Sequence, residues 1–227
     1  MKDKAKEKVQ NEVLNWDYLN ELKNDEYGFS LTIEKLEADD VFKIFSYENK
    51  DKHLKVEGYF HEETFEYKVS TTIGLINFCN VSFFATDIAQ FESHLREKLS
   101  ETIRSLAEPG NENLSCLLSE KGIFEWNYAE ILPEKLEGFF LFINPSAPLP
   151  TVNGSYIIFD YTDFSINTNF TLYYNIFRDE FFGESIIEGI PTVTYDFDSP
   201  TIKELEDILR QKLALHLRAI RNVRSKS

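Results

Sequence analysis

The sequence predicts an α+β protein built as a tandem duplication. Three observations lead to this prediction. The chain matches itself at a nearly constant offset, each copy contains segments in which apolar and polar residues alternate, and each copy ends in a segment with helical periodicity. We therefore expect each repeat to consist of a short opening helical segment, a sheet of four or five antiparallel strands and a long C-terminal amphipathic helix.

The duplication appears as short strings that recur in the same order. Residues 16–18 (WDY) match residues 126–128 (WNY), and in both copies a G-F-x-L-x-I string begins after nine intervening residues. Further along, residues 95–99 (LREKL) match residues 209–213 (LRQKL), and the offset has grown from 110 to 114. The four extra residues fall in a proline-containing loop of the second copy, and loops tolerate insertions. These ordered matches predict two copies of one structural unit.

This self-alignment divides the chain into five parts. They are a charged N-terminal extension (1–11), a first α+β repeat (12–107), a linker (108–121), a second α+β repeat (122–221) and a basic C-terminal tail (222–227). The linker contains the string EPGNEN, in which proline and glycine are typical of a break between structured segments.

Each repeat opens near its W-x-Y string. In the first repeat Leu14, Tyr18 and Leu22 are four residues apart, which predicts one face of a helix. In the second repeat Pro133 limits the length of the equivalent helix, because proline cannot donate an internal helical hydrogen bond.

Strands follow the opening segment. Phe29, Leu31 and Ile33 alternate with polar residues, which predicts a strand with one apolar face and one solvated face. In the second repeat, residues 139–143 (FFLFI) and 156–159 (YIIF) are apolar on both faces. We therefore expect the strands of the second repeat to be covered on both sides.

A long amphipathic helix closes each repeat. Its apolar residues recur at spacings of three and four, which places them on one stripe. The stripes are Ile88, Phe91, Leu95, Leu99, Ile103 and Leu106 in the first repeat, and Ile202, Leu205, Leu209, Leu213, Leu217 and Ile220 in the second. Asp87 and Thr201 precede these stripes and are expected to cap the helices, because each is followed three residues later by Gln or Glu.

The overall composition excludes several classes of protein. The chain has 227 residues, of which 39 are acidic and 24 basic, and its formal net charge is −15. Nucleic-acid-binding domains are generally basic, so this balance argues against a nucleic-acid partner. No apolar run approaches the roughly 20 residues of a membrane-spanning helix, and the first residues lack the apolar core of a secretory signal. We therefore expect a cytoplasmic protein without membrane contact.

Motifs of the common enzyme classes are missing from the sequence. It has no P-loop, no G-x-G-x-x-G string, no H-E-x-x-H string and no nucleophile elbow, and it holds only two cysteines. We therefore predict a non-catalytic protein that uses no cofactor. Homo-oligomerisation stays open on this evidence.

The acidic charge is concentrated in the predicted sheets. Residues 125–200 contain 12 acidic and 2 basic residues, whereas residues 201–227 contain 3 acidic and 7 basic residues. Acidic surfaces attract basic proteins and speed their association. The sequence therefore predicts a binding protein for a basic protein partner, acting as an inhibitor, an immunity protein, a chaperone or an adaptor. The carboxylates expected to contact the partner are Asp160, Asp163, Asp179, Glu180 and Glu184.

One alternative is a small-ligand binding protein with an aromatic-lined pocket. The candidate pocket residues are the aromatic pairs of the two W-x-Y strings, Trp16 and Tyr18 with Trp126 and Tyr128. The competing explanation is that these residues pack the opening segment against the sheet.

A second alternative is an enzyme that uses carboxylates together with His61. Asp196 and Asp198 are two residues apart on a predicted strand and would share a face, where they are also candidate ligands of a divalent cation. The simpler explanation is that both carboxylates favour the N-terminus of the helix that follows.

Overall fold

The computed structural model describes residues 2–38, 40–108, 115–151 and 154–223. The chain divides into two compact units, residues 1–108 and 109–227. Each unit is an antiparallel sheet with one long helix packed against it. Within the described residues, no helix is both long enough and apolar enough to cross a membrane.

The first unit contains a six-stranded meander in which every strand pairs with the next. Helix α1 (Lys2–Leu14) and a short 3-10 helix (Asp17–Asn20) precede the sheet, and helix α2 (Ile88–Ala107) follows it. The strands are β1 (Asp25–Glu26), β2 (Phe29–Ala38), β3 (Val41–Asn49), β4 (Leu54–His61), β5 (Glu66–Ile73) and β6 (Ile76–Ala85).

The second unit contains a seven-stranded sheet. It begins with a short helix α3 (Ser115–Glu120) and a 3-10 helix (Tyr128–Glu130), and it ends with helix α4 (Ile202–Arg221). The strands are β7 (Lys135–Leu136), β8 (Phe139–Ile143), β9 (Leu149–Pro150), β10 (Ser155–Asp163), β11 (Thr168–Asn175), β12 (Glu180–Ile187) and β13 (Ile190–Ser199). The strand order is β13-β12-β11-β10-β8-β7, and β9 also pairs with β10.

The prediction of a four- or five-stranded sheet in each repeat is wrong, because the sheets have six and seven strands. The strands β1, β7 and β9 have two residues each. A two-residue strand shows no alternation of apolar and polar residues, so periodicity cannot reveal it. The protein is therefore built on two large antiparallel sheets, each accompanied by few helices.

The opening segment also differs from its prediction. Helix α1 ends at Leu14, and the extended backbone of Trp16 separates it from the 3-10 helix that holds Tyr18. Leu14 is exposed, so Leu14, Tyr18 and Leu22 do not form one helical face. Residues 2–11 of the predicted extension belong to α1, and residues 115–120 of the predicted linker are helical. Residues 109–114 of that linker and residues 224–227 of the basic tail lie outside the described residues.

A tight turn joins the first two strands of each sheet. Tyr27 and Gly28 have φ values of +50° and +81°, and Glu137 and Gly138 have +51° and +89°. Two successive positive φ values are typical of the two-residue hairpin turn whose twist matches the strands that it joins. The glycine of each G-F-x-L-x-I string is therefore needed for its backbone conformation.

Each closing helix packs its apolar stripe on one face of its sheet. Five residues of each stripe are buried, and the first residue, Ile88 or Ile202, is half-buried. At the helix starts, the Asp87 carboxylate accepts a hydrogen bond from the backbone N–H of Gln90 at 2.9 Å, and the Thr201 hydroxyl oxygen accepts one from Glu204 at 3.2 Å. In the second unit the stripe completes a core with the aromatic side chains Phe139, Phe159, Tyr161, Phe170, Phe181 and Phe197.

Replacing Leu99 or Leu213 with alanine is expected to lower the free energy of unfolding by about 2 to 5 kcal/mol, because each change removes a buried side chain and leaves a cavity. Leu215 on α4 is 61% exposed, so Leu215→Ala is a matched control. The control should change the free energy of unfolding by less than about 0.5 kcal/mol. Urea unfolding measures both effects. Equal losses in Leu213→Ala and Leu215→Ala would contradict the packing of α4 on the sheet.

Candidate binding surface

One row of side chains crosses the second sheet on the face opposite α4. Asp160, Thr171, Glu184 and Val193 are direct partners on the four successive strands β10, β11, β12 and β13. Asp160 and Thr171 are buried, Glu184 is half-buried, and Val193 is exposed. We call these four residues the polar row. Solvent access along the polar row increases towards the β13 edge.

Asp160 is interior, which removes it from the predicted set of partner-contacting carboxylates. Its side chain is 1% exposed and accepts hydrogen bonds from the Thr171 hydroxyl at 2.6 Å, from the Asn169 amide at 2.8 Å and from the Thr162 hydroxyl. Burial raises the pKa of Asp160 to about 6, because it disfavours the charged form more than these three donors favour it. The carboxylate therefore belongs to the structure of the sheet rather than to a surface.

Asp163 also has an internal role. It caps the 3-10 helix Phe164–Ile166 through Ser165, and it forms an ion pair with Arg221 at 2.8 Å. Burial raises its pKa, but the hydrogen bonds from Ser165 and the charge of Arg221 outweigh burial, and the pKa of Asp163 is lowered. Its charge is thus already compensated within the second unit.

Asp179 is exposed but paired. Its carboxylate lies 2.6 Å from the Lys121 ammonium and accepts a hydrogen bond from the Tyr174 hydroxyl at 2.6 Å. These two donors lower the pKa of Asp179. A partner would have to compete with both donors, so Asp179 is a poor site for a new ion pair.

The remaining carboxylates of the predicted set flank β13. Glu184 is half-buried, and burial raises its pKa. Glu180 forms an ion pair with Arg178. Near Glu180, the pKa of Asp198 is raised first by burial and then by the charge of Glu180, and the charge of Arg178 offsets part of this rise. One carboxylate oxygen of Asp198 is buried and has no hydrogen-bond partner among the described residues. Glu184 and Asp198 are therefore carboxylates whose ionised form would gain from an added cation.

Strand β13 is the edge of the second sheet, and its apolar side chains face solvent. Ile190 is 68% exposed, Val193 58% and Tyr195 80%. The equivalent edge of the first unit, β6, is better covered, because Ile76 and Cys79 are half-buried and only Val81 is strongly exposed. Exposed apolar residues on a sheet edge are typical of an interaction site.

We define the β13 edge as Ile190, Val193 and Tyr195 together with the carboxylates Glu184 and Asp198. Sequence reasoning identified Glu184 as a partner contact and Asp198 as a metal candidate, but it missed the three apolar residues. Nothing in the string IPTVTY distinguishes an edge strand from a central one. Comparisons with protein-family models, with curated proteins and with solved structures gave no match for this chain.

The aromatic pairs proposed for a ligand pocket serve packing in both units. The Trp16 indole N–H donates to Glu92 on α2 at 2.7 Å, and the Trp126 indole N–H donates to Glu206 on α4 at 2.6 Å. Both indole rings are buried. The tryptophans thus fasten the opening segment of each unit to its closing helix.

A cleft of about 260 Å³ lies beside the first of these pairs. Tyr18 lines it together with Arg96, whose guanidinium group lies 4.5 Å from the centre of the Tyr18 ring. Arg96 donates two hydrogen bonds to Glu21, at 2.8 and 2.9 Å, and one to Glu92 at 2.9 Å. The charges of the cleft are therefore paired with one another. Tyr128, the equivalent of Tyr18, is half-buried in the second unit and contacts Trp126 edge to face.

The carboxylates of the metal and enzyme alternatives have separate surroundings. Asp196 forms an ion pair with Lys212 at 2.8 Å, whereas Asp198 lies near Glu180. His61 on β4 contacts the Thr64 hydroxyl through Nδ1 at 3.2 Å. Within the part of the chain that the structure describes, no group of three or more His, Cys, Asp or Glu residues could hold a metal ion.

A serine–histidine pair that sequence reasoning missed occurs under α4. The Ser185 hydroxyl and His216 Nε2 are 2.9 Å apart, and the imidazole lies against Phe170 and Phe197. Burial lowers the pKa of His216. Ser185 is buried in the core, so its hydroxyl is closed to a substrate in this conformation. The pair satisfies polar groups inside the core rather than forming a nucleophile.

Replacing Asp160 with asparagine is expected to stabilise the protein at neutral pH by about 1 to 3 kcal/mol, because the neutral amide avoids the cost of a buried charge. The folded-state pKa of about 6 lies above the unfolded value of 3.8. The contribution of Asp160 to stability therefore falls as the pH rises between these values. The difference between Asp160→Asn and the parent should vanish below this range. Urea unfolding at several pH values measures it.

Asp163→Asn is the matched control, with the opposite sign. The pKa of Asp163 is lowered in the folded state, so its carboxylate stabilises the protein at neutral pH, and that contribution is lost as the pH falls through the lowered pKa. The control should therefore be less stable than the parent at neutral pH. A loss of stability in Asp160→Asn at neutral pH would contradict the assignment of Asp160 as a costly buried charge.

Proposed function

We propose that the protein is a non-catalytic acidic binding protein that recognises a basic protein partner, and that the β13 edge is its recognition surface. The observation that carries the proposal is the combination of exposed apolar side chains with carboxylates that lack a full set of cationic partners. The partner supplies lysine or arginine side chains to Glu184 and Asp198, and it covers Val193 and Tyr195. Such a protein acts as an inhibitor, an immunity protein, a chaperone or an adaptor for its partner.

The proposal agrees with how charge and burial are distributed. Asp160 and Asp163 lie inside the second unit. Asp160 accepts internal hydrogen bonds, and Asp163 forms an ion pair with Arg221. Burial raises the pKa of Glu184, and burial together with the charge of Glu180 raises that of Asp198 against the opposing charge of Arg178. A partner cation would favour the ionised form of both. Tyr195 combines a large apolar ring with a hydroxyl, which is why tyrosine is common at the centre of binding surfaces.

The small-ligand alternative has less support. The cleft beside Tyr18 is lined by charges that already pair with one another, and both tryptophans are bonded to their closing helices. For the enzyme alternative, the described residues contain no group of His, Cys, Asp or Glu that could hold a metal ion, and the serine of the Ser185–His216 pair is buried. The β13 edge is therefore the surface that we assign to the function.

Neutralising the carboxylates of the β13 edge is expected to slow association with the partner. The double variant Glu184→Gln with Asp198→Asn should lower the association rate constant and flatten its salt dependence, because long-range attraction is screened over about 8 Å at physiological ionic strength. Association is measured by stopped-flow fluorescence at two salt concentrations, with a partner captured from host lysate on the immobilised chain and then purified.

The matched control is Glu130→Gln with Glu134→Gln, which changes the net charge equally. Both residues are exposed and precede β7, at the opposite end of the strand order from β13. The control should retain a higher association rate than the β13 variant at low salt. Equal rates for the two variants would dispose of a localised acidic surface, and an acidic partner would dispose of the proposal.

Replacing Tyr195 with serine is expected to raise the dissociation rate constant about tenfold or more, since a buried tyrosine at an interface commonly contributes about 2 kcal/mol or more. Phe177→Ser is the control, because Phe177 is also 80% exposed but lies outside the β13 edge, in the turn before β12. Surface plasmon resonance separates the two rate constants. A partner that dissociates from Tyr195→Ser no faster than from Phe177→Ser would show that Tyr195 is not an anchor.

A further inference from the structure

The backbone of β13 offers hydrogen-bonding groups that the sheet does not use. Glu188 and Gly189 form the turn between β12 and β13, with φ values of +53° and +84°. In a two-residue turn of this kind the flanking residues, Ile187 and Ile190, form a hydrogen-bonded pair. Such pairs alternate with non-hydrogen-bonded pairs along an antiparallel ladder. The alternation decides which backbone groups of β13 point away from β12.

By this alternation, Thr192 and Thr194 bond to β12, whereas Pro191 and Val193 do not. Pro191 agrees with the assignment, because proline has no N–H to donate. The C=O of Pro191 and both the N–H and the C=O of Val193 therefore point outward from the sheet. Within the described residues, no strand pairs with this side of β13.

The stretch of β13 whose backbone groups point outward is limited at both ends. Pro191 interrupts the row of donors at one end. At the other, a bulge places four residues, 195–198, opposite the single residue Phe182 of β12. Proline and bulges at edges prevent open-ended pairing between sheets. The stretch of β13 between them is long enough to pair with a short linear segment but too short to pair with the full edge strand of a second sheet.

We infer that a short, extended, basic segment of the partner adds as a further strand to β13, with its backbone bonded to Val193. This inference rests on the proposed function and specifies its mode. A residue placed opposite Val193 would continue the polar row, and Glu184 would lie two strand spacings, about 10 Å, away. Opposed lysine or arginine and glutamate side chains span that distance. Added main-chain bonds provide affinity in such complexes, and the alternate side chains provide specificity.

Charge decides between a basic segment and a second copy of this chain. Pairing two β13 edges would bring Glu184 and Asp198 of each copy towards those of the other, in a protein with a net charge of −15. Like charges placed opposite one another across strands are destabilising. A segment that alternates lysine with small or β-branched residues would instead pair its cations with these carboxylates.

The test uses a defined probe, a fluorescent peptide of sequence Lys-Thr-Lys-Val-Lys-Thr-Lys. A second peptide has the same side chains but carries N-methyl groups on its three central residues, which removes backbone donors on both edges. Fluorescence anisotropy measures both affinities at low salt. We expect the N-methylated peptide to bind about tenfold or more weakly, a loss of about 1.4 kcal/mol or more. A third peptide with glutamate in place of lysine should not bind.

The protein variants separate backbone from side chain. Val193→Pro removes the outward N–H but no bond to β12, and Pro191 shows that β13 accommodates proline at an outward position. Val193→Thr keeps the N–H and the branched shape. We expect Val193→Pro to lose affinity about as much as N-methylation does, and Val193→Thr, which changes only the side chain, to lose less affinity than Val193→Pro. Amide hydrogen exchange by NMR should show slower exchange at Val193 of the parent when the first peptide is bound.

The outcomes separate the two proposals. Equal binding of the methylated and unmethylated peptides, with the acidic peptide inactive, would overturn strand addition and leave recognition of a basic partner standing. Equal binding of the acidic and basic peptides, or no binding of any peptide, would overturn both. If Val193→Pro does not fold, the methylated peptide and the amide exchange of the parent still decide. Dimerisation of the parent that Val193→Pro abolishes would make a second copy the occupant and overturn the inference.

Discussion

Packing of a twenty-residue amphipathic helix on one face of each antiparallel sheet is the constraint on which the rest of this structure depends. The helix covers the aromatic side chains of that face and leaves the opposite face and the edges to other uses. Because side chains alternate along a strand, the residues that face the helix determine which residues lie on the opposite face of the sheet. In the second unit the opposite face holds the polar row from Asp160 to Val193.

The two units fasten their opening segments in the same way but differ in the surrounding chemistry. Trp16 and Trp126 each donate to a glutamate on the closing helix, and the Tyr47 and Tyr161 hydroxyls each donate to the backbone carbonyl oxygen of a residue just before the first strand, Lys23 or Pro133. These hydrogen bonds satisfy the polar ends of buried aromatic rings, which would otherwise cost stability. Around them, the first unit builds the ion-pair network of Arg96, and in the second unit Arg210 lies 4.0 Å from Glu130.

Acidic residues in one segment can therefore have opposite roles. At neutral pH the ionised Asp160 carboxylate lowers the stability of the folded protein because it is buried. The Asp163 carboxylate raises that stability through Ser165 and Arg221. Glu184 and Asp198 lie near the β13 edge, where both are half-buried and burial raises the pKa of each. Net charge alone would have assigned all of them to the same surface. The hydrogen bonds and burial of each carboxylate determine whether it can contact a partner. The unpaired backbone groups of β13 determine how the partner would bind.

The sequence by itself determined the closing stripes and their caps, because helical periodicity and capping depend on residues close together in the chain. It also located the acidic segments, since charge is a sum over residues. Only the tertiary structure decided that Asp160 is interior, that β13 is an edge and that two-residue strands extend the sheets. Those properties depend on which distant strands pair and in what register, and no local pattern of residues encodes them.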